Sequence, residues 1–256
     1  MQDGPLKEFL LNQSLAVRTF VLSDVKNSIE GIHPTYDAVQ HYKTNIIDWL
    51  SPVINLTGFS VYPMNGVTEG LNWWYNRESR NVQMIPGDYQ WIEPKGTTSQ
   101  IFYQSVPSAI DGNFANVRTD IPVALDLAYV GSTGVKPIEI SSNVEYAFYS
   151  LSKSFGVGNI RTGWYFSRTP DPKLESLIYG AKYYNYFAHN IAETIISKFD
   201  IDYVYNTLNG KQKRVCDTLG FTPSDSVWLA CTTQDEYKKF RRYKDVARIC
   251  LAGVYK

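Results

Sequence analysis

From residue 50 to residue 170 the chain alternates short apolar or β-branched runs with glycine, proline and polar breaks, the pattern of strands threaded through an α/β core. Five runs predict strands, over residues 82–85, 99–105, 122–127, 145–151 and 163–167. Several are apolar at successive positions, which predicts burial on both faces and hence a mostly parallel central sheet flanked by helices. Residues 69–78 carry a helical pattern directly after the turn Asn65-Gly66-Val67-Thr68. Beyond Pro172 the period lengthens: Leu174, Leu177, Ile178 and Ala181 share one stripe, and Ile191, Ile195, Ile196 and Phe199 the next, so two or three helices are predicted over 172–219. The tail then reads as a strand over 227–231, a charged helix over 234–243 and a strand over 247–251, a small α/β subdomain at the C-terminus. The pairs Lys238-Lys239 and Arg241-Arg242 are read as the solvated face of that helix.

Composition narrows the choice of partners. The 25 basic and 25 acidic side chains cancel, so no global field favours nucleic acid or an anionic membrane, and an anionic ligand has to be held by a local site. No stretch approaches the roughly 20 apolar residues that span a bilayer, and the first residues lack a signal-peptide pattern. The three cysteines, Cys216, Cys231 and Cys250, lie far apart without metal-ligand spacing, as expected of reduced thiols in the cytoplasm. The expected protein is therefore soluble and cytoplasmic, with no metal, nucleic-acid or membrane partner. The 19 tyrosines are first of all packing material.

The stretch richest in chemistry is Ser150-Leu-Ser152-Lys153-Ser-Phe-Gly156-Val-Gly158-Asn-Ile-Arg161-Thr-Gly163-Trp, which leaves a strand and enters a glycine-rich loop. Upstream, Leu125-Asp126-Leu-Ala128-Tyr129 ends an apolar run on an acidic residue. Before both stands Pro63-Met-Asn65-Gly66-Val67-Thr68-Glu69-Gly70, a glycine turn opening a helix. Near the end, Ala247-Arg248-Ile-Cys-Leu places an arginine inside an apolar strand, where it needs a partner. In this order and spacing, with Arg161 eight residues after Lys153, the chain resembles the fold-type-I pyridoxal-phosphate (PLP) enzymes, the aspartate aminotransferase superfamily.

The resemblance implies a PLP-transferase-like fold, with a large cofactor-binding domain over 30–190 and a reduced small domain over 191–256 that takes in part of 1–29. It implies that Lys153 carries PLP as a Schiff base, that Asp126 faces the pyridine nitrogen and that Tyr129 bonds the phenolic oxygen. Gly66, Val67, Thr68, Ser150, Ser152 and Arg161 become the phosphate cup, Tyr89 the ring-stacking aromatic with Trp91 as second choice, and Arg248 the holder of the substrate α-carboxylate. These roles suit the residue types: a buried amine beside cations loses its proton more easily, a helix N-terminus favours an anion, and an arginine fork matches a carboxylate or phosphate. The implied activity is amino transfer between an amino acid and a 2-oxo acid. A lyase, a decarboxylase, an acyl-transferring synthase and a non-catalytic binding protein of the same fold are the alternatives. Superfamily members are usually longer, which implies shortened connections here. Arg248 leads us to expect a chain complete at that end. Ser108 and Ala109 stand where relatives carry a cofactor-contacting asparagine, a departure that bears on reaction type. A homodimer is expected, with residues 179–187 and 56–59 as candidate contacts.

Overall fold

The computed structural model describes residues 3–32, 39–89 and 92–255. Trp91 lies outside them. A six-stranded sheet organises the chain, built from β1 (Ser60–Met64), β2 (Val82–Met84), β3 (Ile101–Ser105), β4 (Val123–Asp126), β5 (Val144–Tyr149) and β6 (Gly163–Ser167). The strand order is β1-β6-β5-β4-β3-β2. Strands β2 to β5 pair in parallel, and β6 runs antiparallel to both β5 and β1, so β6 alone opposes the other five. The five strands predicted from the sequence are all present: β6 at the predicted bounds, β2, β3 and β4 shortened, and β5 shifted to start one residue earlier and end two earlier. Strand β1 was not anticipated, because Pro63 lacks the amide that a central strand must donate. It is tolerated because β1 lies at the sheet edge.

Helices cover both faces, and the two-residue period of the strands sorts the core between them. On one face Val61, Val123, Leu125, Ala147, Tyr149, Trp164 and Phe166 join one apolar cluster with α3 (Val39–Leu50) and α7 (Tyr186–Lys198). On the other, Tyr62, Tyr103, Ala124, Phe148 and Tyr165 pack with Leu71 and Trp74 of α4 (Val67–Arg77) and with Ile178 of a π-helical turn (Glu175–Gly180). Much of the tyrosine content is used there: the Phe148 and Tyr165 rings stack at 5.4 Å, and Tyr146 stacks on Tyr165 at 6.1 Å. The remaining helices are α1 (Asp3–Leu11), α2 (Ser23–Ile29), the single turn α5 (Leu151–Ser154), α6 (Pro172–Leu174) and α8 (Tyr203–Leu219).

A second sheet, antiparallel throughout, has the order β7-β8-β10-β9, with β7 (Thr222–Pro223), β8 (Leu229–Thr232), β9 (Arg241–Tyr243) and β10 (Val246–Cys250). It corrects the charged helix read over 234–243. Only Asp235–Phe240 is helical, and as a 3-10 turn, the geometry that brings the buried Tyr237 and Phe240 to one side at i, i+3 spacing. Arg241–Tyr243 then pairs with β10 as a strand, so Arg241 and Arg242 are not the outer face of a helix. No helix among the described residues is long and apolar enough to cross a membrane.

Candidate active site

The carboxyl ends of β3, β4 and β5 deliver Ser105, Asp126 and Ser150 to one place, the edge at which parallel α/β sheets characteristically open. The N-terminus of α4 and the start of β6 close the same space from the other side. The result is a cavity of about 620 Å³. Its lining includes Lys153, Asp126, Tyr129, Tyr89, Val67, Thr68, Ser150, Ser152, Arg161 and Arg248. The fold thus brings almost every sequence-predicted site residue together. Gly66 adjoins them as the residue that caps α4.

Lys153 stands on the single turn α5, which begins where β5 ends. Trp228 fixes that turn by donating its indole N–H to the Lys153 carbonyl at 2.6 Å. The ammonium donates to the Val17 carbonyl at 2.7 Å. Burial pulls its pKa down from 10.5 to about 8, and the charges of Arg248, Arg242 and Arg161 act in the same direction, against an opposing contribution from Cys250. About a tenth of the amine is therefore neutral at pH 7, far more than for an unperturbed lysine.

Asp126 ends β4 and is 2% exposed. Its carboxylate accepts the Tyr103 hydroxyl at 2.6 Å and the Ala128 amide at 2.8 Å. Burial nonetheless raises its pKa to about 6, the two hydrogen bonds only moderating the rise. Tyr129 is buried on the loop that follows, and its hydroxyl receives a long hydrogen bond from Arg248 Nη1, 3.4 Å. Arg248 lies in the interior of the second sheet and is 6% exposed, so it is not an edge residue facing water. Its guanidinium donates to the Ala109 carbonyl and, at 3.1 Å, to the Leu15 carbonyl.

On the opposite wall, α4 begins at Val67 with Gly66 as its cap, at φ 88°. A side chain at Gly66 would be strained at that φ, and its Cβ would lie 2.6 Å from Arg161 Nη2. Arg161 holds the turn by donating to the Asn65 carbonyl at 2.8 Å and the Gly158 carbonyl at 3.2 Å. Thr68 Oγ1 and the Tyr89 hydroxyl pair at 3.1 Å across the mouth. Ser152 buries its hydroxyl without a hydrogen-bond partner among the described residues. The first amides of a helix, a guanidinium and an unpartnered hydroxyl make a cup suited to a dianion.

No family model and no curated protein sequence matches the chain. Solved structures do. An aminotransferase from Staphylococcus aureus superimposes with a TM-score of 0.64 at 14% identity, over 93% of this chain and 88% of that one. A PLP-bound C-S lyase from Staphylococcus hominis gives 0.66 at 11% identity, over 96% and 88%. Histidinol-phosphate aminotransferase from Sinorhizobium meliloti, in complex with pyridoxal-5'-phosphate, gives 0.61 at 12%, over 98% and 90%. The chain has their fold.

Within that fold several contributors escaped the sequence. Residues 16–19 run along the cavity as a strap: the Val17 carbonyl meets Lys153, Thr19 Oγ1 donates to the Ser152 carbonyl at 3.0 Å, and a Cβ on Gly156 would strike the Phe20 carbonyl. Backbone carbonyls have no sequence signature, so nothing could have announced this role. Tyr103, the partner of Asp126, was one tyrosine among many. Arg242 also lines the cavity, as do Ser105 and Ala109. The Ala109 amide donates to Ser105 Oγ at 2.8 Å, and Ser105 in turn donates its hydroxyl to Asp88, so the loop that lacks an asparagine is braced from beneath.

Proposed function

We propose that the cavity binds PLP and that the protein transfers an amino group between an amino acid and a 2-oxo acid, with Lys153 as covalent anchor. The observation that carries this reading is one cavity holding three things: an amine with its pKa lowered to about 8, a buried carboxylate, and an anion cup with an unpartnered Ser152 hydroxyl. The residues fit the group. Arg161, Ser150, Ser152 and the backbone of Gly66, Val67 and Thr68 would hold its phosphate, Asp126 its ring nitrogen, Tyr129 its phenolic oxygen, and Tyr89 would pack against its ring. When bound, PLP supplies a carbonyl carbon for the lysine and a ring that accepts electrons from the substrate Cα.

The chain's own residues do the rest. Lys153, whose proton burial makes easier to lose, is the nucleophile that makes the anchor and the base that takes the proton from the substrate Cα. Asp126, braced by Tyr103 and Ala128, holds a proton on the ring nitrogen. Arg248 orients the substrate α-carboxylate, which takes the place of the Leu15 carbonyl on its guanidinium. The strap over 16–19 excludes water from Lys153. The reading also takes the protein to be a cytoplasmic homodimer, with a cofactor-holding part over 30–190 and a smaller part over 191–256 joined by part of 1–29.

The test is borohydride reduction of the PLP-loaded protein followed by peptide mapping, which should place the label on Lys153. Product analysis then separates reactions. A 2-oxo acid formed together with pyridoxamine phosphate identifies amino transfer, whereas carbon dioxide, or cleavage of the substrate side chain, identifies a decarboxylase or a lyase of the same fold. A protein that takes up no PLP refutes the whole reading.

A further inference from the structure

The turn Ile85-Pro86-Gly87-Asp88, closed by the Asp88 amide on the Ile85 carbonyl at 3.1 Å, buries a carboxylate that the proposed reaction does not use. Asp88 is 2% exposed. Among the described residues no cation lies within ion-pair distance of its carboxylate. Burial raises its pKa, and the hydrogen bonds from Ser105 and the more distant charge of Arg242 only moderate the rise. A neutral side chain would fill this place at lower cost. What the carboxylate does, and a neutral group cannot, is receive two donors of one residue: the Ser105 amide on Oδ2 at 3.1 Å and the Ser105 hydroxyl on Oδ1.

A hydroxyl has a single proton. With that proton directed at Asp88, Ser105 Oγ turns its lone pairs to the Ala109 amide, which donates to it at 2.8 Å. At its other end Ala109 offers its carbonyl to Arg248 Nη1. A continuous path therefore runs from Asp88 through Ser105 and Ala109 to the guanidinium. Arg248 has two further acceptors, the Tyr129 hydroxyl at 3.4 Å and the Leu15 carbonyl at 3.1 Å. In the PLP reading the first turns to the cofactor and the second yields to the substrate, so the Ala109 carbonyl is the anchor that stays. Ser105, Ala109 and Arg248 line the cavity, whereas Asp88 stands behind them.

We infer that Asp88 is a positioning residue for substrate recognition: by fixing the direction of the Ser105 hydroxyl it holds the Ala109 loop, and through it the Arg248 fork, where the substrate α-carboxylate is received. The inference rests on the PLP reading of the cavity. Asparagine is no substitute at this position. Whichever way its amide is turned, Nδ2 meets either the Ser105 N–H or the Ser105 hydroxyl. In the first case two donors face each other, and in the second the Ser105 proton is driven toward the Ala109 amide, which is itself a donor.

The experiment titrates the PLP-loaded protein with two probes. Pentanoate, a carboxylate without an amine, is followed by calorimetry, and butylamine, an amine without a carboxylate, by the change in cofactor absorbance. Asp88→Asn should weaken pentanoate about 10-fold, the effect of losing one buried hydrogen bond that orients a charged group, and leave butylamine affinity and cofactor absorbance in place. Ser105→Ala, which removes the hydroxyl itself, should weaken pentanoate to a similar extent. The double variant should then be no weaker than either single one, because both changes act along one path. An unchanged pentanoate affinity in Asp88→Asn, or losses that add in the double variant, overturns the inference while PLP binding still stands. An equal loss for both probes makes Asp88 a prop of the fold and overturns it as well. Should Asp88→Asn fail to fold, Ser105→Ala decides alone: a loss confined to pentanoate upholds the path, and an unchanged pentanoate affinity ends it. If the protein takes up no PLP, the cofactor reading fails and this inference falls with it.

Discussion

Replacing Asp126 with asparagine should stabilise the ligand-free protein at pH 8 and cripple the proposed reaction. The carboxyl group is 2% exposed, and burial lifts its pKa from 3.8 to about 6. At about 1.4 kcal/mol per pKa unit, that rise amounts to roughly 3 kcal/mol of destabilisation once the group is ionised. The sign follows from proton uptake. Below pH 4 both folded and unfolded chains carry the proton and nothing is lost. Between about 4 and 6 the folded chain holds a proton that the unfolded chain has released, so stability falls as pH rises through that window, and above it the full cost remains.

Asparagine does not ionise, and it can keep both contacts. Its Oδ1 accepts the Ala128 amide, and its Nδ2 donates to the Tyr103 hydroxyl, which reverses from donor to acceptor. The variant should therefore match the parent near pH 4 and exceed it at pH 8 by up to about 3 kcal/mol, or roughly 6–12 °C in Tm for a chain of this size. Urea unfolding of the PLP-free proteins at the two pH values measures this directly. Equal stability at pH 8, or a gain that does not change with pH, would refute the argument. With PLP and substrates added, Asp126→Asn should retain the cofactor and lose most turnover, because the carboxylate that holds the ring-nitrogen proton is gone. Near-normal turnover would remove Asp126 from the proposed mechanism.

Three further outcomes are expected. Lys153→Ala should abolish the borohydride-reducible label and turnover while the fold, followed by circular dichroism, persists; a label on the same peptide would mean that another lysine is the anchor. With the Lys153 pKa lowered to about 8, the rate of PLP uptake should climb with pH up to roughly 8 and then level off, because the neutral amine is the attacking form, and a rate still climbing steeply at pH 10 would contradict that environment. In sedimentation at low micromolar concentration the PLP-loaded protein should run as a dimer, and a fully active monomer would remove the second copy from the proposal.

What the sequence disclosed and what it withheld divide along a physical line. Strands β3 to β6 were legible because a strand covered on both faces is written as a largely apolar run, whatever its neighbours, and the edge strand β2 by a shorter run of the same kind. The turn at Gly66 and the strand end at Asp126 were legible for a related reason, since each needs a particular residue type at a fixed place in a local element, whereas the single helical turn that carries Lys153 read only as the start of a glycine-rich loop. Edge strand β1 was hidden by Pro63, whose cost depends on where in the sheet it sits, and that is a property of the assembled fold. The Val17 and Leu15 carbonyls were hidden more completely, since any residue supplies one and only the path of the chain makes them partners of Lys153 and Arg248. Arg242 is the instructive case. As part of an Arg-Arg pair in a charged stretch it reads as solvated surface, and the fold corrects that reading for both residues, each half-buried, Arg241 against Asp235. Arg241 pairs with Ala247 while Arg242 falls where the β9–β10 register shifts, and one cation of the pair meets an acidic partner while the other lines the cavity. The charge was visible in the sequence, but its side was decided by a register that only the folded sheet contains.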